Sequence, residues 1–146
     1  MKQKTGNLWA SVGPTDVICV PTNNVILHGR LVMGAGFAAE AARRYQGLDY
    51  LFGQRVASEG PDYHLVGAVY AERVLLAFQT KRHFKDPADL DLIVRAAAKL
   101  RDYANGTDKI IHLPYPGIGL GRLKVEEVAP VIEAAGLPDN VWLWTK

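Results

Sequence analysis

Two glycine-rich stretches contain the residues whose types and spacing could do chemistry. They are "HGRLVMGAGFAAE" (28–40) and "PYPGIGLGRL" (114–123), and each runs into a predicted helix. The start of a helix has up to four unpaired N–H groups and a partial positive charge. Glycines without a capping side chain let an anion approach those groups closely. Two such loops that face each other would suit a diphosphate better than a single phosphate.

Other phosphate-binding patterns fit the sequence poorly. It has no G-x-x-x-x-G-K-[ST] motif, which excludes a P-loop. The run "GAGFAA" satisfies the loose dinucleotide pattern G-x-G-x-x-[GA], but the preceding "RLVM" is a weak strand and no acid ends the next strand. Glycines at such junctions also form simple turns, and this remains the alternative interpretation of each stretch.

Alternating strands and helices must position these loops. Short apolar runs bounded by Gly, Pro, Asn or Asp predict strands at 8–12, 16–21, 64–71, 73–80, 109–116 and 140–145. Apolar residues at helical spacing predict helices at 36–46, 48–60, 87–104 and 125–135. The third helix is predicted to follow an N-cap at Asp86, with Pro87 in its first turn and Asn105-Gly106 at its end. The alternation predicts an α/β sandwich with a largely parallel sheet, in which ligands bind beyond the carboxyl ends of the strands.

Length, charge and cysteine content limit the class of protein. The 146 residues predict one domain, 1–146, and the net charge of +2 predicts no strong general affinity for nucleic acid. The single cysteine, Cys19, excludes an internal disulfide and favours a reducing compartment. With no apolar leader and no apolar run of about 20 residues, we expect a cytoplasmic protein without a signal peptide or a membrane span. The histidines are dispersed, so no metal site is expected.

At these stretches the sequence resembles the macrodomain family, the ADP-ribose-binding fold. The resemblance covers nearly the whole chain and is carried by "GNLW" (6–9), "DVICVPTNN" (16–24), "MGAGFAAE" (33–40), "FQTKRHFKDPADL" (78–90) and "PYPGIGLGRLKVEEV" (114–128). The last two stretches are similar to those of the branch that includes DNA ADP-ribosyl glycohydrolase antitoxins and the terminal ADP-ribose protein glycohydrolase. The resemblance implies a three-layer α/β/α sandwich with a mixed, largely parallel sheet. It also implies ADP-ribose as ligand or product, and no cofactor.

The resemblance also implies which residues form the site. Asn7 and Asp16 stand where the family contacts adenine, and Asn23 stands where it contacts the distal ribose, with Asn24 as a rival. One side of the diphosphate would be bound by the first glycine loop, at Met33, Gly34, Ala35, Gly36 and Phe37. The other side would be bound by the second loop, at Pro116, Gly117, Ile118, Gly119, Leu120 and Gly121, with Thr80 nearby.

Lys81 matches the catalytic lysine of that branch, with Asn23 positioning the distal ribose beside it. An uncharged amine could attack the aldehyde of ring-opened ADP-ribose to form a Schiff base, whereas an ammonium could assist the leaving group. Burial or nearby cations should lower the pKa of this lysine. Gly121 replaces the aspartate of the protein hydrolase and Val125 replaces the usual tryptophan. The missing acid favours ADP-ribosylated nucleic acid as substrate.

The expected function is therefore hydrolysis of an ADP-ribosyl linkage to nucleic acid or protein. The alternatives are a non-catalytic reader of ADP-ribose and a hydrolase of free O-acetyl-ADP-ribose or ADP-ribose 1″-phosphate. The basic run 81–85, with Arg30 and Arg122, would collect the phosphates of an ADP-ribosylated DNA strand, or else is a solvated basic face. Trp142 and Trp144 are expected to pack on the two faces of the sheet rather than bind a ligand. The branch includes antitoxins, but the sequence does not identify a toxin partner.

Overall fold

A computed structural model describes residues 1–146, and a mixed six-stranded sheet forms its central layer. Its strands are β1 (Lys2–Thr5), β2 (Val17–Thr22), β5 (Leu65–Tyr70), β6 (Arg73–Gln79), β7 (Ile111–Pro114) and β8 (Val141–Thr145), and the short strands β3 (Ile26–Leu27) and β4 (Arg30–Leu31) form a separate hairpin. The sheet order is β1-β8-β7-β2-β6-β5. Only β5 and β6 pair antiparallel within it. The largely parallel sheet is therefore confirmed.

Helices cover both faces of the sheet. They are α1 (Gly36–Arg44), α2 (Leu48–Glu59), α3 (Leu90–Asn105) and α4 (Val125–Ala134). One apolar cluster joins α3 and α4 to one face, and a second joins α1 and α2 to the other. The predicted three-layer α/β/α sandwich is confirmed. None of these helices has the length and apolar character that crossing a bilayer requires.

Strand β2 shows how the sequence builds both layers. Its residues alternate between the clusters, because successive side chains of a strand point to opposite faces. Val17 and Cys19 face α3, whereas Ile18 and Val20 face α1 and α2, and all four are fully buried. Burying one such side chain contributes about 1.5–3 kcal/mol. Burial also raises the pKa of Cys19, so its thiol stays protonated and has a packing role.

One predicted strand and the predicted start of one helix are wrong, and local hydrogen bonds explain both differences. The strand predicted at 8–12 is a short 3-10 helix at Leu8–Ala10, because the side chain of Asn7 accepts a hydrogen bond from the amide of Trp9 at 3.1 Å and starts a turn. The third helix begins at Leu90, and its N-cap is Asp89, whose side chain accepts from the amide of Asp91 at 2.9 Å. Asp86 and Pro87 lie in the preceding loop. The helix predicted at 48–60 is confirmed as α2.

The hairpin of β3 and β4 was not predicted, and it directly precedes the first glycine loop. Its base is held by Asn23, whose side-chain oxygen accepts from the amide of Val25 at 2.8 Å and whose amide nitrogen donates to the carbonyl of Val32 at 3.0 Å. The buried Asn23 at the carboxyl end of β2 therefore holds together the two ends of the segment that contains the hairpin.

Candidate functional site

Three adjacent parallel strands place predicted site residues at the carboxyl end of the sheet. Strand β2 ends before Asn23, β6 ends before Thr80 and Lys81, and β7 ends before the second glycine loop. These strands are neighbours in the order β7-β2-β6. Because they run parallel, their carboxyl ends lie together, where α/β sheets bind ligands.

The first glycine loop presents a run of free amides. Helix α1 begins at Gly36 with Ala35 in the N-cap position, and no side chain caps it. None of the amides from Met33 to Ala38 has a hydrogen-bond partner within the protein, and the first paired amide is that of Ala39. Gly34, Ala35 and Gly36 are exposed, and Gly36 has a φ of 58°. A helix start of this kind is suited to an anion.

The second glycine loop presents another run of free amides. The amides of Gly117, Ile118, Gly119 and Leu120 have no partner within the protein. The amide of Gly121 differs from the prediction, because it donates to the carbonyl of Ile118 at 3.3 Å inside a 3-10 turn. The loop also ends before α4, whose start is closed by Glu127 accepting from the amide of Lys124 at 3.0 Å. The free amides therefore belong to the turn, and not to the helix.

Gly121 is a packing residue instead. It is buried, and its carbonyl accepts a hydrogen bond from the amide of Ala88 at 2.8 Å. A Cβ at position 121 would lie 3.1 Å from the Cβ of Ala88, closer than ordinary van der Waals contact. A side chain at position 121 would therefore require the segment around Ala88 to shift by a few tenths of an ångström.

The two glycine loops lie against each other. A Cβ added at Gly36 would be 3.1 Å from Cδ1 of Leu120. The Leu120 side chain is 59% exposed, so it stands over the start of α1 without being packed into the core. The two runs of unpartnered amides therefore lie on adjacent loops, as the diphosphate interpretation requires.

Lys81 joins the loop after β6 to the second glycine loop. Its Nζ donates to three main-chain oxygens, those of Asp86 at 3.1 Å, Phe84 at 3.3 Å and Leu120 at 3.4 Å. Three donors and no acceptor are what a protonated amine offers, so this arrangement accommodates the ammonium form. The half-buried lysine lies directly beside the amides of the second loop.

The surroundings of Lys81 shift its proton affinity. Burial lowers the pKa of Lys81, and the charge of Arg122 lowers it further, while the carboxylate of Asp86 acts in the opposite direction. Burial disfavours an ammonium because the charged form loses hydration. The expected lowering of the lysine pKa is therefore found, and its largest cause is desolvation.

Two of the neighbouring basic residues form ion pairs with carboxylates, so they are less available to bind phosphates than the sequence indicated. Arg82 forms a two-pronged ion pair with Asp62, at 2.9 and 3.0 Å, and a further ion pair with Asp89 at 3.2 Å. This pairing holds the pKa of Asp62 below its ordinary value. Arg30 likewise pairs with a carboxylate, that of Asp49, at 3.0 Å.

Two cations of the basic set have no carboxylate partner. Arg122 donates to the main-chain oxygen of Lys85 at 2.6 Å, and the ammonium of Lys85 contacts no acid. Within this basic set, only these two residues and Lys81 have no ion pair with a carboxylate, so the set offers fewer free cations for phosphate binding than the sequence indicated.

Asn23 and Asn24 face different ways. Asn23 is buried, and its side chain bonds to Val25 and Val32 beside the first glycine loop. Its amide retains one N–H and one oxygen lone pair for a ligand. Asn24 donates from its side chain to the carbonyl of Pro61 at 2.6 Å, away from that loop. The geometry favours Asn23 as the residue that faces the site.

Three further predicted site residues, Met33, Thr80 and Pro116, are buried next to the ends of the strands. Met33 is buried in the α1 and α2 cluster, and the amide of Thr80 donates to the carbonyl of Thr22 at 2.9 Å. Pro116 is buried and, as a proline, has no N–H to donate. These side chains hold the ends of β2, β6 and β7 in place and do not present polar groups to the space between the loops.

An aromatic cleft of about 380 Å³ continues from the first glycine loop. The rings of Trp9 and Phe37 stack with centroids 4.8 Å apart and an interplanar angle of 7°. The guanidinium of Arg44 lies 4.3 Å from the Trp9 ring. Asn7 also lines the cleft, and its side-chain nitrogen is free to donate. A flat aromatic cleft with one amide is suited to a nucleobase.

Asp16 lies elsewhere, so its predicted role as an adenine contact is not supported. It precedes β2, at the amino end of that strand, and the free amides lie at the carboxyl end. The carboxylate is buried and is bonded to the amide of Gly13 and to Nε2 of His112, each at 2.8 Å. Its position excludes contact with the glycine loops.

The prediction for the two tryptophans is wrong. Both rings contact the same histidine, because residues two apart on a strand share a face. Trp144 is also among the residues that line the aromatic cleft. The sequence interpretation therefore missed Trp144 as a residue that lines the cleft, although its place at the carboxyl end of β8 was an available signal.

Comparison with known proteins identifies the architecture. No protein-family model matches the sequence, and no curated protein matches it either. Among solved structures, the macrodomain of Mycobacterium tuberculosis DarG superposes with a TM-score of 0.80 at 21% identity, covering 99% of this chain and 97% of that one. The macrodomain of Thermus aquaticus DarG gives a TM-score of 0.77 at 22% identity, covering 98% and 95%.

A third structure, Thermosipho africanus DarTG in complex with ADP-ribose, gives a TM-score of 0.76 at 19% identity. The match covers 99% of this chain and 41% of that longer one. All three alignments cover at least 98% of the present chain. On this structural likeness, the chain has the macrodomain fold.

Proposed function

We propose that this protein binds ADP-ribose and hydrolyses an ADP-ribosyl linkage with the help of Lys81. One observation carries the proposal: two runs of unpartnered amides, 33–38 and 117–120, lie on adjacent loops, and Nζ of Lys81 contacts the second of these loops. Unpartnered amides in two opposed loops fit the two phosphates of a nucleoside diphosphate. The complex of Thermosipho africanus DarTG with ADP-ribose, which shares this fold, supports the same ligand.

The cleft and the loops divide the ligand between them. The adenine would enter the aromatic cleft beside Trp9 and Phe37, and Asn7 would bond its edge. The diphosphate would lie between the two glycine loops. The distal ribose would then lie beyond the loops, near Asn23, and its C1″ atom would face Lys81. This order follows the carboxyl edge of the sheet from β8 to β6.

Lys81 would act in its protonated form. Its three carbonyl contacts favour an ammonium, and its lowered pKa makes that ammonium a better acid near neutral pH. The ammonium would donate a proton to the leaving atom as the bond to C1″ breaks. Water would then form the new C1″–O bond, and its surplus proton would return to the lysine amine. The products would be ADP-ribose and the unmodified target.

A Schiff-base route is the competing mechanism. Reductive trapping of the imine distinguishes it from acid catalysis by the ammonium. A neutral Lys81 would displace the target and form an imine with C1″, which a hydride reductant converts to a stable amine. Mass spectrometry of protein incubated with substrate and cyanoborohydride would detect ADP-ribose on Lys81. An adduct at that residue would establish the nucleophile, whereas turnover without an adduct supports the acid.

ADP-ribosylated nucleic acid is the favoured substrate. Position 121 is a glycine, so the loop supplies no carboxylate base there. Lys85 and Arg122 have no acidic partner and would meet the phosphates of a strand attached to C1″. A non-catalytic reader of ADP-ribose is the second candidate, because the amide loops alone suffice for binding.

The test has two stages. Isothermal calorimetry with ADP-ribose comes first, because every version of the proposal requires binding, and AMP serves as the ligand without a diphosphate. The protein is then incubated with ADP-ribosylated single-stranded DNA, glutamate-ADP-ribosylated protein and O-acetyl-ADP-ribose. Release of ADP-ribose from the DNA is expected. Tight binding with no cleavage of any of the three would support the reader, and no binding would end the proposal.

A further inference from the structure

His112 lies buried behind the cleft and bonds to two residues at once. Its side chain has no exposed surface. Its Nε2 is 2.8 Å from the Asp16 carboxylate, and its Nδ1 is 3.0 Å from Nε1 of Trp144. The three side chains form a continuous chain of hydrogen bonds from the amino end of β2 to the wall of the cleft.

The chemistry of the partners assigns the protonation of His112. An indole nitrogen can only donate, so Nδ1 of His112 must accept from Trp144 and cannot carry a proton. Its Nε2 then carries the proton and donates it to Asp16, which can only accept as a carboxylate. The imidazole is therefore the neutral tautomer with its proton on Nε2, and the two partners together fix that tautomer.

The same bond fixes the indole of Trp144. The ring lines the cleft beside Asn7 and Trp9, and it is only 8% exposed. Its Nε1 edge points inward to His112, so the carbon face of the ring is left for the cleft. The ring of Trp142 packs edge-on against His112, with centroids 5.5 Å apart, and holds the imidazole from the other side.

We propose that His112 is a positioning residue that, with Asp16 behind it, holds the indole of Trp144 as a wall of the nucleobase cleft. This inference rests on the proposed function, since it assumes that the cleft receives the adenine. Asp16 then acts at a distance. It cannot reach the ligand, but it keeps the proton on Nε2 and so leaves Nδ1 as the acceptor that Trp144 requires.

Three variants test this role by ADP-ribose calorimetry. His112→Asn places a side-chain oxygen near the position of Nδ1, so it keeps an acceptor for Trp144, whereas His112→Phe keeps the ring shape without one. Trp144→Phe keeps an aromatic wall but removes the donor. Losing one such bond weakens binding by about tenfold, so we expect that loss for both Phe variants and about twofold for Asn.

A stability measurement separates positioning from folding. Both His112 variants remove the imidazole partner of the buried Asp16 carboxylate, so both should lower the unfolding midpoint in urea. His112→Phe should lower it further, because it also leaves the indole N–H of Trp144 without an acceptor. A merely structural role predicts that affinity follows stability across the series. The positioning role predicts that His112→Asn is destabilised and yet binds nearly as well as the wild type. Folded His112→Phe protein with wild-type affinity would overturn the proposal.

Nuclear magnetic resonance of the wild type provides a ligand-free readout. Nitrogen-15 shifts of the His112 ring should identify Nε2 as the protonated nitrogen, and the indole proton of Trp144 should exchange slowly with solvent. A proton on Nδ1 would overturn the His112 proposal whether or not ADP-ribose binds. Failure of the wild type to bind ADP-ribose would instead count against the proposed function, so the two failures are distinguishable.

Discussion

The Nζ atom of Lys81 lies 3.4 Å from the main-chain oxygen of Leu120. This contact joins the candidate catalytic lysine to the loop whose amides would bind the diphosphate. The same loop touches Gly36 through the Leu120 side chain. Lysine, second loop and first loop thus form one connected unit, so a ligand bound between the loops would be positioned relative to the lysine.

Replacement of Lys81 should separate turnover from binding. Lys81→Ala is expected to lower the rate of ADP-ribose release by about a hundredfold or more, because a positioned acid is lost. Its affinity for ADP-ribose should change by less than about threefold, since the amides remain. Single-turnover assays and calorimetry measure the two quantities. Lys109→Ala is the matched control, because Lys109 is an exposed lysine before the amino end of β7 and its ammonium has no hydrogen-bond partner. Equal rates for both variants would remove Lys81 from the mechanism.

The pH dependence should reveal the protonation state that acts. The pKa of Lys81 is lowered, and an ammonium acid is active below its pKa, so the rate should fall as pH rises through that value. Arg122→Gln removes the charge that lowers this pKa, so the alkaline limb should move to higher pH. Arg122→Lys keeps a charge and should move it less. A rate that instead rises with pH through this limb would favour the neutral amine.

Gly36→Ala should weaken ligand binding. The added Cβ would lie between the first loop and Leu120, where the diphosphate is proposed to approach, and we expect about a tenfold loss of affinity for ADP-ribose. Gly47→Ala is the matched control, because Gly47 also has a positive φ in front of a helix, with no atom near its Cβ position. If calorimetry shows that Gly36→Ala and Gly47→Ala lose the same affinity relative to the wild type, the loss comes from backbone strain and not from the added Cβ at the loop.

Gly117 should be the less replaceable of two glycines in the second loop. Gly117 and Gly119 both have positive φ, at 82° and 66°. A Cβ at Gly117 would lie 2.8 Å from Cδ1 of Ile93, whereas one at Gly119 would meet nothing within 4 Å. Gly117→Ala should lower the free energy of unfolding by about 3 kcal/mol and Gly119→Ala by about 1 kcal/mol. Urea unfolding of both proteins measures the difference, and equal losses would contradict the packing argument.

The two asparagines after β2 should behave differently. Asn23→Ala leaves the amide of Val25 and the carbonyl of Val32 without partners, which should cost about 2 kcal/mol of stability and also weaken ADP-ribose binding. Asn24→Ala loses one exposed bond and should cost about 1 kcal/mol or less, with binding unchanged. Urea unfolding and calorimetry test both statements. Loss of affinity in Asn24→Ala alone would reverse the assignment.

Much of the fold follows from local patterns in the sequence. Four helices and five of the six sheet strands appear where apolar periodicity and turn residues indicate them. The exception is β1, "KQKT", which lies at the sheet edge, where charged residues protect unpaired backbone groups and erase the apolar pattern. The hairpin at 26–31 was missed for a different reason, since its paired segments have only two residues each.

The candidate site was predictable where it consists of backbone groups. Glycine spacing located both runs of amides, and the resemblance of the stretch 78–90 to the macrodomain family located Lys81. Asp16 was misplaced, although its position before a strand already put it at the amino end of the sheet. The partners of Arg82 come from loops about 20 residues upstream and seven residues downstream, so sequence proximity to other cations overstated its freedom. Such pairings depend on tertiary contacts that no local pattern encodes.

The close fit of Gly121 against Ala88 has an evolutionary consequence. A variant that acquires a carboxylate at position 121 must first move the segment leading into α3, and that segment also carries the carbonyls that hold Lys81. A single substitution would thus disturb the lysine while adding the acid. An acid at position 121 and the geometry of Lys81 are therefore not independent, and a change that introduces the acid would need a compensating change near Ala88.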